Sequence, residues 1–206
     1  MAANGLEGKR WGPARSPGGL LRARPHSPIH SRMITTPLLS LLFALTTALL
    51  GPDLEVGQQA PPFTAVDCDG QRFELQEALG RGPVVLAFYP KAQTRGCTQE
   101  MRAFVDQGRM LQKYHAQVVA VSGDDATTLQ TFRQQLHAPF AFLPDPDGTL
   151  MRLYQSKMPV VTVAKRKTFV IDQRGRIVLV IEGKDAIALK GVEQALQGPQ
   201  GGPATP

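Results

Sequence analysis

Apolar residues recur along this chain with two periods, and the changes of period divide it into elements. Residues 83–89 (PVVLAFY) form an unbroken apolar run between Gly-Pro and Pro, the pattern of a strand covered on both faces. Residues 117–121 repeat that pattern. Between them, residues 97–114 set Met101, Phe104, Val105, Met110 and Leu111 near one stripe, which predicts a helix. A second helix is predicted over 125–136, opened by acids that suit the positive end of its dipole. Short strands are expected at 63–66 and 72–75, on either side of Asp67-Cys68-Asp69-Gly70, where Asp-Gly marks a hairpin turn. The run 140–143 is a further short strand; after the turn Pro144-Asp145-Pro146-Asp147-Gly148, residues 149–155 predict a short helix. Strands at 167–172 and 176–181 enclose a turn at Asp172-Gln173-Arg174-Gly175, and a helix over 184–197 closes the pattern. Strands alternating with helices imply an α/β fold: a mixed central sheet flanked by helices, with an N-terminal hairpin.

Before residue 53 the pattern changes. Residues 1–32 are rich in Gly, Pro, Arg and Ser and hold few aliphatic side chains, so the composition predicts a disordered leader. Residues 33–52 carry no charge, and 38–50 (LLSLLFALTTALL) are almost wholly apolar. That length suits the core of an export signal and is short for a membrane span. Three readings follow: a cleaved signal with Met33 as a start and Thr46-Thr47-Ala48 near the cleavage site, an uncleaved anchor contacting the membrane through residues 33–51, or an apolar helix packed on the domain. The basic flank ending at Arg32 favours the signal, and with it an exported protein, periplasmic or membrane-anchored, over a cytoplasmic one. The expected organisation is a leader with signal or anchor over 1–52, one domain over 53–198 and a flexible tail over 199–206.

Charge alters this picture only by its location. Residues 1–32 hold six basic side chains against one acid, and the remainder 17 against 16. The basic excess therefore belongs to the leader, and a nucleic-acid partner, which needs a basic stripe on the folded body, is not expected. Two cysteines in 206 residues exclude a disulfide framework and, without the histidines, a four-ligand zinc site. The turn at 144–148 lacks the later Glu of a calcium loop, and His115 and His137 lack ligand spacing. No metal and no cofactor is expected.

The chemistry concentrates in residues 88–100, FYPKAQTRGCTQE. Cys97 falls in the opening turn of a helix, just past the carboxyl end of a central strand. Unpaired amides and the helix dipole there favour a thiolate over a thiol. Thr94, three residues earlier, can turn its hydroxyl toward the sulfur or toward an oxygen bound there. Pro90 can wall the pocket without offering a competing N–H. The ordinary alternative for a free cysteine is a small core residue.

The spacing Pro90-x-x-x-Thr94-x-x-Cys97 resembles the peroxidatic signature of the peroxiredoxins, and FYPKAQTRGCTQE looks like their bacterioferritin-comigratory branch. The likeness runs over residues 54–197, through APPFTAVDCDGQRFELQEALGRGPVVLAFYP and the later block Arg166-x-x-Phe169-Val170-Ile171-Asp172-x-x-Gly175. It implies a thioredoxin-like fold and an antioxidant thiol peroxidase reducing hydrogen peroxide or organic hydroperoxides. Cys97 would be the nucleophile, oxidised to a sulfenic acid. Arg166 matches the family's distant active-site arginine, Thr94 would hydrogen-bond sulfur and peroxide, Pro90 would shield the sulfenate, and Glu100 would orient its neighbours. Strand alternation supports Arg166 independently: Lys165 and Lys167 share one face, and Arg166 takes the other with Thr168 and Val170.

The chain departs from that branch at the resolving thiol. Many members carry a second cysteine five residues after the first, where this chain has Arg102, and no cysteine follows Cys97. Cys68 remains as a resolving candidate, expected at the far end of a hairpin that need not approach the active-site helix. One-cysteine chemistry is expected, with an external thiol reductant such as thioredoxin, glutaredoxin or glutathione, in a monomer or homodimer. The loop QSKMPVVTVAK (155–165) also differs from the branch. Two other functions compete. A tethered thiol–disulfide oxidoreductase needs C-x-x-C, and Cys97-Thr98-Gln99-Glu100 has no second thiol. A catalytically silent redoxin-fold interaction module has no use for Pro90, Thr94, Cys97 and Arg166 together.

Overall fold

The computed structural model describes residues 53–198. The readings of 1–52 as leader, signal or anchor and of 199–206 as tail fall outside the described residues. Among the described residues, no helix is long and apolar enough to cross a membrane. A hairpin of β1 (Thr64–Val66) and β2 (Arg72–Glu74) leads into α1 (Leu75–Arg81). Then follow β3 (Val84–Phe88), α2 (Arg95–Asp106), α3 (Gly108–Lys113), β4 (Gln117–Ser122), α4 (Ala126–Leu136), β5 (Ala141–Pro144) and α5 (Thr149–Leu153). The chain closes with β6 (Lys167–Ile171), β7 (Ile177–Glu182), α6 (Gly183–Ile187) and α7 (Val192–Leu196). The sheet order is β5-β4-β3-β6-β7; β3, β4 and β5 are parallel, and β6 and β7 continue antiparallel.

Period-two alternation sorts the strand residues onto two cores. Val85, Ala87, Val118, Ala120, Phe142 and Val170 pack on one face with Met101 and Phe104 of α2 and Leu129 and Phe132 of α4. Val84, Leu86, Phe88, Val119, Val121, Phe169 and Ile171 pack on the other with Leu75 and Leu79 of α1 and Leu150 and Met151 of α5. All five residues of β3 are fully buried, which is why its sequence is a continuous apolar run rather than an alternating one. Each such large aliphatic or aromatic side chain contributes about 1.5–3 kcal/mol by leaving water, so a slip of one residue is not tolerated.

Four local expectations change. Helix α1 is not predicted from the pattern, because LQEALGR spans only 7 residues and shows its buried stripe, Leu75, Ala78 and Leu79, for barely two turns. The helix expected over 97–114 starts at Arg95 and breaks at Gln107, whose φ −87° and ψ 12° leave the α region before Gly108 opens α3. The closing helix splits into α6 and α7, because Leu189 (φ 50°) and Gly191 (φ 79°) take left-handed conformations between them. Cys68 is at the expected hairpin turn but is buried there: its N–H donates to the Phe142 carbonyl at 2.8 Å, laying the turn against β5.

Candidate active site

The site forms where β3 ends. Tyr89 still pairs with β4 through its N–H to the Val121 carbonyl (3.0 Å); residues 90–94 then cross to α2. Thr94 is the N-cap of α2 by backbone conformation (φ −78°, ψ 151°), yet its side chain caps none of the helix amides. Its hydroxyl donates to the Lys91 carbonyl at 3.0 Å. Of the two expected partners of the Thr94 hydroxyl, the sulfur and an oxygen bound there, the sulfur is not engaged; the nearby carbonyl, a stronger acceptor than a thiol, accepts its hydrogen bond instead. Pro90 is half-buried at the start of this loop.

Cys97 is the third residue of α2 and is buried, 1% exposed. Its sulfur accepts a hydrogen bond from Nη2 of Arg166 at 3.2 Å. Arg166 comes from the far end of the chain. The antiparallel register of β3 and β6 pairs Phe88 with Lys167, which sets Arg166 beside the end of β3. The backbone there is held by Gly183, whose N–H donates to the Arg166 carbonyl at 3.1 Å. Nη1 of Arg166 is ion-paired to Oε2 of Glu100, which lies one turn beyond Cys97 on the same helix. One guanidinium thus bridges the sulfur and a carboxylate, and its planar fork makes both bonds at once. Lys167, expected on the opposite face, is on it, but it is buried there and paired with Glu182 at 3.0 Å.

Burial dominates the electrostatics. It pushes the Glu100 carboxyl up to about 7, with Arg166 pulling in the opposite direction, and Oε1 of Glu100 has no hydrogen-bond partner. Burial also opposes the charge on Arg166, but Glu100 and the Cys97 sulfur outweigh it and raise its pKa. The result is a cation fixed against the sulfur in the first turn of a helix.

Gly96 is a site residue that sequence reading misses: a Cβ there would lie 3.3 Å from Nη2 of Arg166. Its only signal is a glycine inside the first turn of a helix, where alanine is intrinsically better by about 1 kcal/mol. Asp124 is missed too: its Oδ2 accepts from the Ala92 N–H (2.7 Å) and from the Ser122 hydroxyl (2.9 Å). Arg102, at the branch's resolving position, is exposed on the outer side of α2 beside Arg95, Thr98 and Gln99. Cys68 and Cys97 are both free thiols. Burial, then Asp69, raises the Cys68 thiol, while Arg133, paired with Asp69 at 2.8 Å, opposes the shift.

A buried sulfur under a guanidinium, at the start of a helix on a mixed sheet, is the arrangement of a thiol enzyme of thioredoxin-like fold. The chain belongs to the AhpC/TSA family, the peroxiredoxins, whose family model it matches over residues 56–180. It is 31% identical over 165 residues to the chloroplastic peroxiredoxin Q of Populus jackii, covering 74% of this chain and 77% of that protein. To the putative peroxiredoxin bcp of Coxiella burnetii it is 36% identical over 130 residues, covering 60% of this chain and 85% of that protein. Among solved structures, peroxidoxin BcpB from Mycobacterium tuberculosis superposes with a TM-score of 0.67 at 30% identity, covering 72% of this chain and 99% of that one. These relatives bear out the bacterioferritin-comigratory likeness and the thioredoxin-like fold. Family membership makes the chain a peroxidase that works through a thiol.

Proposed function

We propose that Cys97 is the peroxidatic nucleophile and that the protein reduces hydrogen peroxide and small organic hydroperoxides by one-cysteine chemistry. The contact of Arg166 Nη2 with the Cys97 sulfur at 3.2 Å carries this reading. The thiolate attacks one peroxide oxygen and forms an S–O bond as the O–O bond breaks. The leaving oxygen departs as water or alcohol after taking a proton, and the sulfur becomes a sulfenic acid. Arg166 holds the thiolate and offers N–H groups to the oxygen on which charge develops. With its O–H donating to the Lys91 carbonyl, the Thr94 hydroxyl presents lone pairs that accept from the O–H of the incoming peroxide. Pro90, half-buried and lacking an N–H, walls the pocket and limits access of a second peroxide.

An external thiol then condenses with the sulfenic acid and releases water, and a second thiol reduces the mixed disulfide. Thioredoxin, glutaredoxin and glutathione are the reductant classes proposed. Arg102 in place of a cysteine and the buried Cys68 support resolution from outside the chain. The basic flank and apolar run before residue 53 support an exported setting, with antioxidant defence as the role. Stopped-flow consumption of peroxide by wild type and by Cys97→Ser tests the assignment. Rapid consumption by wild type alone is expected; equal rates in the two would remove Cys97 from the chemistry.

A further inference from the structure

The loop that carries Pro90 and Thr94 does not rest in a low-energy conformation of its own. Gln93 has φ 61°, a left-handed value that a residue with a side chain adopts only at a steric cost. Such a conformation persists where the surroundings over-determine it. The tether comes from the turn after β4: the N–H of Ala92, next to Gln93, donates to Oδ2 of Asp124 at 2.7 Å. Ala92 itself is buried, so the amide and the methyl group fix the middle of the loop together.

Asp124 is in turn held. The hydroxyl of Ser122, fully buried at the end of β4, donates to the same Oδ2 at 2.9 Å. The Ser122 carbonyl accepts from Asp145 N–H at 2.8 Å, so the turn after β4 is bound on the β5 side as well. Between the two residues, Gly123 lies against the second loop of the site: a Cβ on it would come within 2.8 Å of the Thr162 carbonyl. That loop is closed on itself by Met158 N–H to the Val163 carbonyl (2.9 Å) and ends at Arg166. The tripeptide Ser122-Gly123-Asp124 thus touches both segments that deliver reactive groups to Cys97, one carrying Thr94 and the other Arg166. Tyr89, fully buried at the end of β3, packs in the core on one face of the sheet with Phe132 and Phe142.

We propose that Asp124 is a positioning residue for peroxide reduction, its carboxylate aimed by Ser122 so that the Ala92 amide holds the loop bearing Pro90 and Thr94 in register over Cys97. This rests on the peroxidatic reading of Cys97. Asp124 touches neither sulfur nor peroxide; it acts through the loop. Asparagine keeps one acceptor oxygen and alanine keeps none, so the two variants separate positioning from simple loss of charge.

The test measures two rates on Asp124→Ala, Asp124→Asn and Ser122→Ala: peroxide consumption, and alkylation of Cys97 by iodoacetamide, which needs the thiolate but not the Thr94 geometry. Misplacing a reacting group by an ångström costs about a hundredfold, so Asp124→Ala is expected to lose about ten- to a hundredfold in peroxide rate. Its alkylation rate stays near wild type, and Asp124→Asn recovers most of the loss. Parallel loss of both rates, or an asparagine variant as slow as alanine, overturns positioning through the acceptor oxygen. Should Asp124→Ala not fold, Ser122→Ala decides: a slower peroxide rate with unchanged alkylation supports the proposal, and unchanged rates overturn it. A wild type that consumes no peroxide overturns the peroxidatic reading and this proposal together, whereas an active wild type with unaffected variants overturns this proposal alone.

Discussion

Glu100 gives the sharpest quantitative consequence of the buried ion pair. Its carboxyl is fully buried and its pKa is raised from 4.5 to about 7, chiefly by burial. In the unfolded chain it ionises near the ordinary value. Between those two values the folded state holds a proton that the unfolded state has lost, so raising the pH through this window weakens folding. The penalty is absent below pH 4.5, grows up to about 7 and is complete above it. At 1.36 kcal/mol per pKa unit the difference comes to about 3 kcal/mol. Glu100→Gln removes the titration while keeping the shape. Urea unfolding of wild type and variant at pH 4.5 and pH 8, with a reductant present, isolates it, because every other group titrates in both proteins. Relative to wild type, the variant is expected to gain about 3 kcal/mol between the two pH values, or about 1.5 M in midpoint for a slope near 2 kcal/mol per M. A difference that does not change with pH would refute the burial argument. So would one of opposite sign, which would mean that Arg166 lowers the carboxyl more than burial raises it.

Three further outcomes follow from the geometry. Arg166→Ala should slow peroxide reduction by about a hundredfold or more, and Arg166→Lys should recover little, because an ammonium cannot bridge the sulfur and Glu100 with one planar group; stopped-flow rates decide it. Thr94→Val should cost about tenfold in the same assay while changing stability by about 1 kcal/mol or less, and Thr94→Ser should restore the rate; equal losses in valine and serine would point to packing instead. Cys68→Ser should keep turnover with an added thiol, and non-reducing mass spectrometry of the oxidised wild type should show no Cys68–Cys97 bond, since burial keeps Cys68 a neutral thiol.

What could be read from the sequence tracks how local the cause is. Strands β3 and β4 were legible because burial on both faces writes an unbroken apolar run. The start of α4 was legible from its acids, although Asp125 serves as the N-cap, accepting from Thr128 N–H (2.8 Å), and not as the first helical residue. The pairing of Arg166 with Cys97 was foreseeable only in part. Strand parity chose Arg166 over Lys165 and Lys167, but its place beside the sulfur depends on the β3–β6 register, set by residues far apart in the chain. The partner of the Thr94 hydroxyl was hidden, because it depends on where Gln93 turns the Lys91 carbonyl. Cys68 sits at the hairpin turn the sequence predicts, but its burial was hidden for a related reason: it comes from the Phe142 carbonyl and the core around β5. Asp124 carried no local signal at all, since an acid after a strand is an ordinary loop residue until the Ala92 amide is brought to it.

The central claim, that Cys97 reduces peroxide through a sulfenic acid, is tested most directly by a single-turnover trap. Reduced protein is mixed with one equivalent of hydrogen peroxide and then with a sulfenic-acid reagent such as dimedone, and the modified residue is located by peptide mass spectrometry. The account predicts one adduct per chain, on Cys97, absent from Cys97→Ser and unchanged in Cys68→Ser. An adduct on Cys68, or peroxide consumed with Cys97 left as a free thiol, would contradict it.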